Sequence, residues 1–179
     1  MNGIAGFVYR VATTHHRFKT VLSVAGVVFW YGTVALAMVF SPWVDGKLGL
    51  SMAIPAAVRL PLAIVLLAIG APMVAWTISR FLRARGTPIP FSPPPVFVTD
   101  GLYKVVRNPM HLGWTLVIAG VGILRQSFTL LVVFTPVFVL AHIIYLKLIE
   151  EKELEEKFGQ AYREYKKRVG MFLPWWRNQ

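Results

Sequence analysis

Two histidines and a pair of adjacent acids are the side chains in this sequence best suited to moving protons. His111 and His142 each fall within an apolar run, where an ionisable group is a functional candidate by default. Glu150 and Glu151 follow His142 by about two helical turns, and Glu150 lies on a similar helix face. A protic acceptor such as an amine, a thiol or a phenol needs a base to take its proton, and His111, His142 and Glu151 are the candidate catalytic groups for that work. Two histidines at similar depth on neighbouring helices would equally suit axial ligation of a haem iron, which is a rival reading. The chain has no cysteine, so disulfides, thiolate metal sites and cysteine nucleophiles are excluded. His15 and His16 precede the apolar region and have no partners at metal-ligand spacing, so no metal site is expected.

A second polar concentration is the run from Thr99 through Asp100, Gly101, Leu102, Tyr103, Lys104, Val105, Val106, Arg107, Asn108 and Pro109 to Met110. It leads straight into an apolar helix, so its polar groups are placed at a membrane surface, where an amphiphile and a water-soluble cofactor can meet. Just before it, residues 86–100 hold five prolines in fifteen positions. Such a segment is neither helix nor central strand but an extended, semi-rigid loop with unpaired backbone groups. Each feature has a plain alternative: a linker for the prolines, interfacial anchoring for Tyr103 and Arg107, and the start of a solvated helix for Glu150 and Glu151.

The elements that must position these groups are set by the solvent. Of the 179 residues, 56% are hydrophobic and 15% charged, against about 45–50% and about 25% in soluble domains. Apolar stretches at about 21–40, 60–80, 110–124 and 128–147 compare with the roughly 20 residues needed to cross about 30 Å of hydrocarbon. The predicted fold is an all-α integral membrane protein of about four transmembrane helices in a single domain. The last two form a helical hairpin, because Arg125, Gln126 and Ser127 are the only break between them. Pro42 is expected to end the first span. Gly113, Gly120 and Gly122 thin one side of the third and permit close helix approach.

The net charge of +11 does not indicate nucleic acid, because Lys and Arg flank the apolar runs instead of lining one soluble face. Arg10, Arg17 and Lys19 precede the first span, Arg80, Arg83, Arg85, Lys104 and Arg107 separate the second from the third, and Lys166, Lys167, Arg168 and Arg177 lie in the tail. This distribution predicts both termini and the proline loop in the cytoplasm. From Ile149 the character changes: five of the eight acids fall in 150–156, and Leu154, Phe158, Tyr162, Tyr165 and Val169 recur at helical spacing. A cytosolic amphipathic helix is predicted over 149–169, lying on the protein or on membrane lipids.

Three elements occur in order. They are Gly101-Leu102-Tyr103 through Arg107-Asn108-Pro109-Met110-His111-Leu112-Gly113, then Glu150-Glu151, then Phe158-Gly159 with Tyr162, Tyr165 and Lys166-Lys167-Arg168-Val169. Over roughly Pro95 to Pro174 the chain thereby resembles the isoprenylcysteine carboxyl methyltransferase and phospholipid methyltransferase superfamily, integral membrane enzymes that use S-adenosylmethionine. The resemblance implies that Pro95, Val96, Phe97 and Val98 contact the cofactor through their backbone and that Tyr103 closes on it. It also implies that Asn108, Pro109, Met110 and His111 form the turn beneath the cofactor and that Glu150 hydrogen-bonds its polar end. Two departures stand out: Asn108-Pro109-Met110-His111 replaces the His-Pro-x-Tyr of the isoprenylcysteine enzymes, and Leu146 stands where they carry an arginine at the substrate carboxylate. Prenylcysteine is therefore not the implied substrate. The implied activity is methyl transfer to a lipid-like or other hydrophobic acceptor that enters from the bilayer, at a site facing the cytoplasm. A non-enzymatic membrane scaffold is the remaining alternative.

Overall fold

Long apolar runs without breakers fold into long helices, and the computed structural model, which describes residues 16–83 and 97–174, is helical throughout its regular elements. Helix α1 is His16–Leu48, α2 is Ala56–Arg83, α3 is Pro109–Leu124, α4 is Thr129–Phe158 and α5 is Gln160–Arg168. A 3₁₀ turn, Gly101–Lys104, leads towards α3. Three stretches are long and apolar enough to cross a membrane: Val28–Leu48, Ala56–Arg80 and Thr129–Phe158. Helix α3 is shorter at 16 residues, or about 24 Å, and it lies along α2. The two approach closely where glycines face each other: a Cβ on Gly70 would stand 2.7 Å from the Gly113 carbonyl oxygen.

Contrary to the sequence expectation, Pro42 does not end α1, which continues to Leu48. The proline nitrogen cannot bond the Met38 carbonyl, and the Arg125 guanidinium donates to that carbonyl instead. Beyond the proline, the buried Asp45 carboxylate ties α1 to the α3–α4 hairpin. It accepts from the Ser127 hydroxyl at 2.5 Å, from the Thr129 backbone N–H at 2.8 Å and from the Thr129 hydroxyl. The hairpin turn itself falls at Arg125–Phe128, with Gln126 accepting the Ile54 N–H at 3.3 Å. Val34, Ile118, Leu130 and Phe138 form the core where α1, α3 and α4 meet.

The predicted single helix over 149–169 is two pieces. Nothing in 147–158 ends a helix, so α4 runs on to Phe158; the break is at Gly159, whose φ of +55° lies in the left-handed region. At 30 residues α4 is about 45 Å long, so its acidic end projects out of a hydrocarbon layer about 30 Å thick. Two π-helical turns interrupt α4, at Thr129–Phe134 and Leu146–Glu150. The first accommodates Pro136, and both the Thr135 N–H and its hydroxyl close on the Leu130 carbonyl. The second lies at the paired acids.

Candidate active site

Tyr103 is placed by its surroundings more than by its own helix. Gly101 takes φ +58°, and a Cβ there would collide with the Trp76 ring of α2. Arg80 lies over the same indole, 5.9 Å from its centroid, and pairs with Asp100. That guanidinium holds the Asp100 carboxyl below its usual range. The Tyr103 ring comes within 6.2 Å of Trp76, and its carbonyl accepts the Tyr165 hydroxyl at 2.7 Å. Burial, reinforced by the field of Glu150, pushes the Tyr103 hydroxyl well up, so it stays a protonated donor.

The segment behind Tyr103 is pinned by backbone pairing with the end of the described chain. Val106 bridges to Gly170, Arg107 N–H donates to the Gly170 carbonyl at 2.8 Å, and Asn108 N–H donates to the Met171 carbonyl at 3.2 Å. The Asn108 side-chain amide reaches that carbonyl too, at 3.4 Å. Phe97 stacks on Phe158 at 5.0 Å and meets Tyr162 and Tyr165 edge-on, which docks α5 beneath the loop. Val98 precedes the 3₁₀ turn, half-buried. Pro95 and Val96 lie outside the described residues.

The second π turn gives the two acids different partners. With the Glu151 N–H closing on the Leu146 carbonyl five residues back, Glu151 is brought under Leu146, the register Glu150 would hold in an uninterrupted α-helix. Both carboxylates can then face the bundle. Glu151 accepts from Arg107 Nη1 at 2.6 Å and from Lys166 Nζ at 3.4 Å. Lys166 also pairs with Glu155, which raises its pKa. Glu150, by contrast, is half-buried, its charge reaches the Tyr103 and Tyr145 hydroxyls, and it forms no ion pair or hydrogen bond among the described residues.

His111 lies in the first turn of α3, after Asn108, Pro109 and Met110, and its ring centroid is 4.4 Å from that of His142, edge to face. His142 is 2% exposed, and its Nδ1 lies 2.8 Å from the Phe138 carbonyl. This contact corrects the haem reading. Iron with two axial imidazoles needs the porphyrin plane between the rings and a metal–nitrogen bond of about 2 Å on each side, whereas these rings touch. Among the described residues no group of three or more His, Cys, Asp or Glu could hold a metal ion.

Of the residues singled out from sequence, the structure brings His111 against His142, Tyr103 into the field of Glu150, and Glu151 onto Arg107, with Asn108 to Met110 joining Arg107 to His111 along the chain. The sequence reading missed Trp76 and Trp30. Their signal is only that of aromatic residues in apolar spans. Trp76 braces the Tyr103 turn, and Trp30 of α1 meets His142 edge-on at 4.1 Å.

Residues 58–161, more than half of the chain, match the family model of phospholipid methyltransferases. Methanethiol S-methyltransferase 1 of Bradyrhizobium diazoefficiens is 35% identical over 85 residues, covering 48% of this chain and 28% of that relative. The methanethiol S-methyltransferase of Pseudomonas deceptionensis is 40% identical over 81 residues, covering 44% and 28%. That of Crocosphaera subtropica is 31% identical over 78 residues, covering 44% and 29%. The chain thus spans less than a third of the length of these relatives.

Proposed function

The chain belongs to the phospholipid methyltransferase family, and from that premise we propose that it is a membrane methyltransferase that transfers the methyl group of S-adenosylmethionine to a small thiol, at a cytoplasm-facing site between the Tyr103 turn and α4. Family membership overturns the scaffold alternative. The observation that carries the proposal is that α4 presents, about two turns apart, His142 in contact with His111 and the half-buried Glu150 beside the Arg107–Glu151 pair, with no ion-pair or hydrogen-bond partner among the described residues.

The residues present fit the donor. S-adenosylmethionine supplies a methyl group on a sulfonium, activated for in-line displacement. Glu150, with no ion-pair or hydrogen-bond partner among the described residues and with its charge felt at the Tyr103 hydroxyl, offers a carboxylate to a cationic ligand bearing amino and hydroxyl groups. Phe97, Val98 and the turn from Asn108 to His111 complete its surroundings. Glu151 has its two oxygens engaged by Arg107 and Lys166, which suits it to holding the α3 entry in place more than to taking a proton.

Two considerations favour a thiol over the broader lipid-like class. The relatives are named for methanethiol, and the two cations beside Glu151 among the described residues, Arg107 and Lys166, are already paired with carboxylates. The thiolate, not the thiol, is the nucleophile, so the acceptor must give up its proton as the carbon–sulfur bond forms, and a neutral histidine is a candidate to take it. The thiol gives its proton to His111 or His142 and its electron pair to the methyl carbon, and the donor sulfur keeps the pair from the bond that breaks. Charge balances: a sulfonium and a neutral imidazole become a thioether and an imidazolium. Incubating purified protein in detergent with S-adenosylmethionine and methanethiol, then measuring dimethyl sulfide by gas chromatography, tests this directly. No product from methanethiol or longer alkanethiols, alongside methylated species in a lipid extract, would return the acceptor to the lipid class.

A further inference from the structure

We infer that the end of α5 and the Tyr103 turn together form a docking surface for the anionic headgroups of the lipid leaflet beside them, made by Lys104, Lys167 and Arg168 with Val105 and Leu173. The inference is independent of the methyl acceptor.

Two contacts hold the parts together. The Tyr165 hydroxyl donates to the Tyr103 carbonyl at 2.7 Å, and Val106 bridges to Gly170. Lys104 and Val105 therefore lie between these contacts on one segment, and Lys167 and Arg168 lie between them on the other. All four are exposed, because α5 turns Tyr162, Tyr165 and Val169 inward onto Phe97, Leu154 and Phe158. Among the described residues none of the three cations forms an ion pair. The carboxylates close to them in sequence are engaged elsewhere. Asp100 feels the charge of Lys104 but pairs with Arg80. Glu164 accepts from the Gln160 amide at 3.1 Å, and Arg168 Nε donates to the Glu164 backbone carbonyl at 3.4 Å.

Depth selects the partner. Val106 is three residues from Pro109, where α3 begins alongside the spanning α2. The bridge to Gly170 is thus within about 10 Å of the first turn of α3, at the level of a headgroup layer roughly 5–8 Å deep on each face of a bilayer. Val105 and Leu173 are 48% and 76% exposed, and apolar side chains at that level are buried by the upper acyl chains. Cations beside exposed apolar groups match the phosphates and acyl chains of an anionic leaflet together. A free phosphate would match the cations alone.

The test is photocrosslinking of the full chain in vesicles of equal phosphatidylcholine and phosphatidylglycerol. The chain has no cysteine, so a benzophenone maleimide on Val105→Cys reports this surface alone. Adducts to phosphatidylglycerol, counted by mass spectrometry, should outnumber those to phosphatidylcholine at least fivefold, since one basic residue near an anionic surface contributes roughly that factor. Adding Lys104→Gln, Lys167→Gln and Arg168→Gln should bring the two adducts to near equality, whereas Lys104→Arg with Lys167→Arg should keep the preference. Equal adducts in the labelled chain, or a preference that survives the three glutamines, overturns the inference. A chain that crosslinks to no lipid has this surface in water or against protein, which overturns it as well. Loss of the preference on adding inorganic phosphate, but not chloride of equal ionic strength, marks a free-phosphate site and refutes the assignment to lipid.

Discussion

Arg107 and Glu151, 44 residues apart in sequence, meet at 2.6 Å with side chains 11% and 13% exposed. The contact fastens the entry of α3 to the wide turn of α4 and fixes the distance between the two halves of the site. It exists because the π turn at Leu146–Glu150 rotates Glu151 inward, so the register of α4 and the geometry of the site are one feature.

Removing one member of a buried ion pair strands the other, at about 3–5 kcal/mol. Glu151→Gln and Arg107→Ala should each lower the melting temperature substantially in detergent. The double change Arg107→Met with Glu151→Leu should recover part of the loss, because it leaves no unpaired charge. A double variant no more stable than either single one would mean the pair does not carry the α3–α4 contact.

Glu150→Gln should behave differently. Its carboxylate has no partner to strand, so the melting temperature should hold while affinity for S-adenosylmethionine falls. Charge-assisted hydrogen bonds contribute about 1.5–3 kcal/mol, which corresponds to roughly 10- to 100-fold in Kd. Glu156→Gln, on the exposed side of the same acidic run, should bind as the parent does. Equal affinities for both variants by calorimetry would remove Glu150 from the cofactor site.

Much of this was legible in the sequence because hydropathy is a strong signal: the helices, the α3–α4 hairpin and the layer holding the polar groups follow from apolar runs and their breaks. The choice of Tyr103, Asn108, His111 and Glu150 as candidates came from a motif and not from periodicity. What failed to show was tertiary. Pro42 reads as a stop, and only a guanidinium 87 residues away, donating to the Met38 carbonyl, lets α1 continue. The π turns leave no mark in composition, so nothing in the sequence showed that α4 widens at Glu150 and Glu151. The end of α4 was misplaced because acids and lysines are compatible with both a solvated helix and a continued span.

Gly101→Ala tests the bracing of Tyr103. The new methyl group would collide with the Trp76 ring, and an L-residue at φ +58° carries its own strain of about 1–2 kcal/mol. Stability and cofactor affinity should both fall. Adding Trp76→Ala should relieve the collision and restore part of the affinity but not the backbone strain. If Gly101→Ala binds cofactor as tightly as the parent, the turn is not held by Trp76.

Asp45→Ala should lower the melting temperature by removing the acceptor for Ser127 and Thr129 at the opposite end of the bundle, while cofactor affinity stays within twofold. A matching loss of affinity would show that the hairpin end and the site are coupled.

Orientation follows from where charge sits relative to α2. Ser51 precedes that helix and Lys104 follows it, both exposed, so a span through Ala56–Arg80 puts them on opposite faces of the membrane. The segments beyond Arg80 carry the excess of Lys and Arg, whereas 41–59 carries few, which predicts the Lys104 side in the cytoplasm. The chain contains no cysteine, so each introduced thiol reports alone. In intact cells treated with an impermeant maleimide, Ser51→Cys should label and Lys104→Cys should label only after permeabilisation. The reverse pattern would place the Tyr103 turn outside, away from the cytoplasmic supply of S-adenosylmethionine. Labelling of both thiols from one side would mean that α2 does not cross.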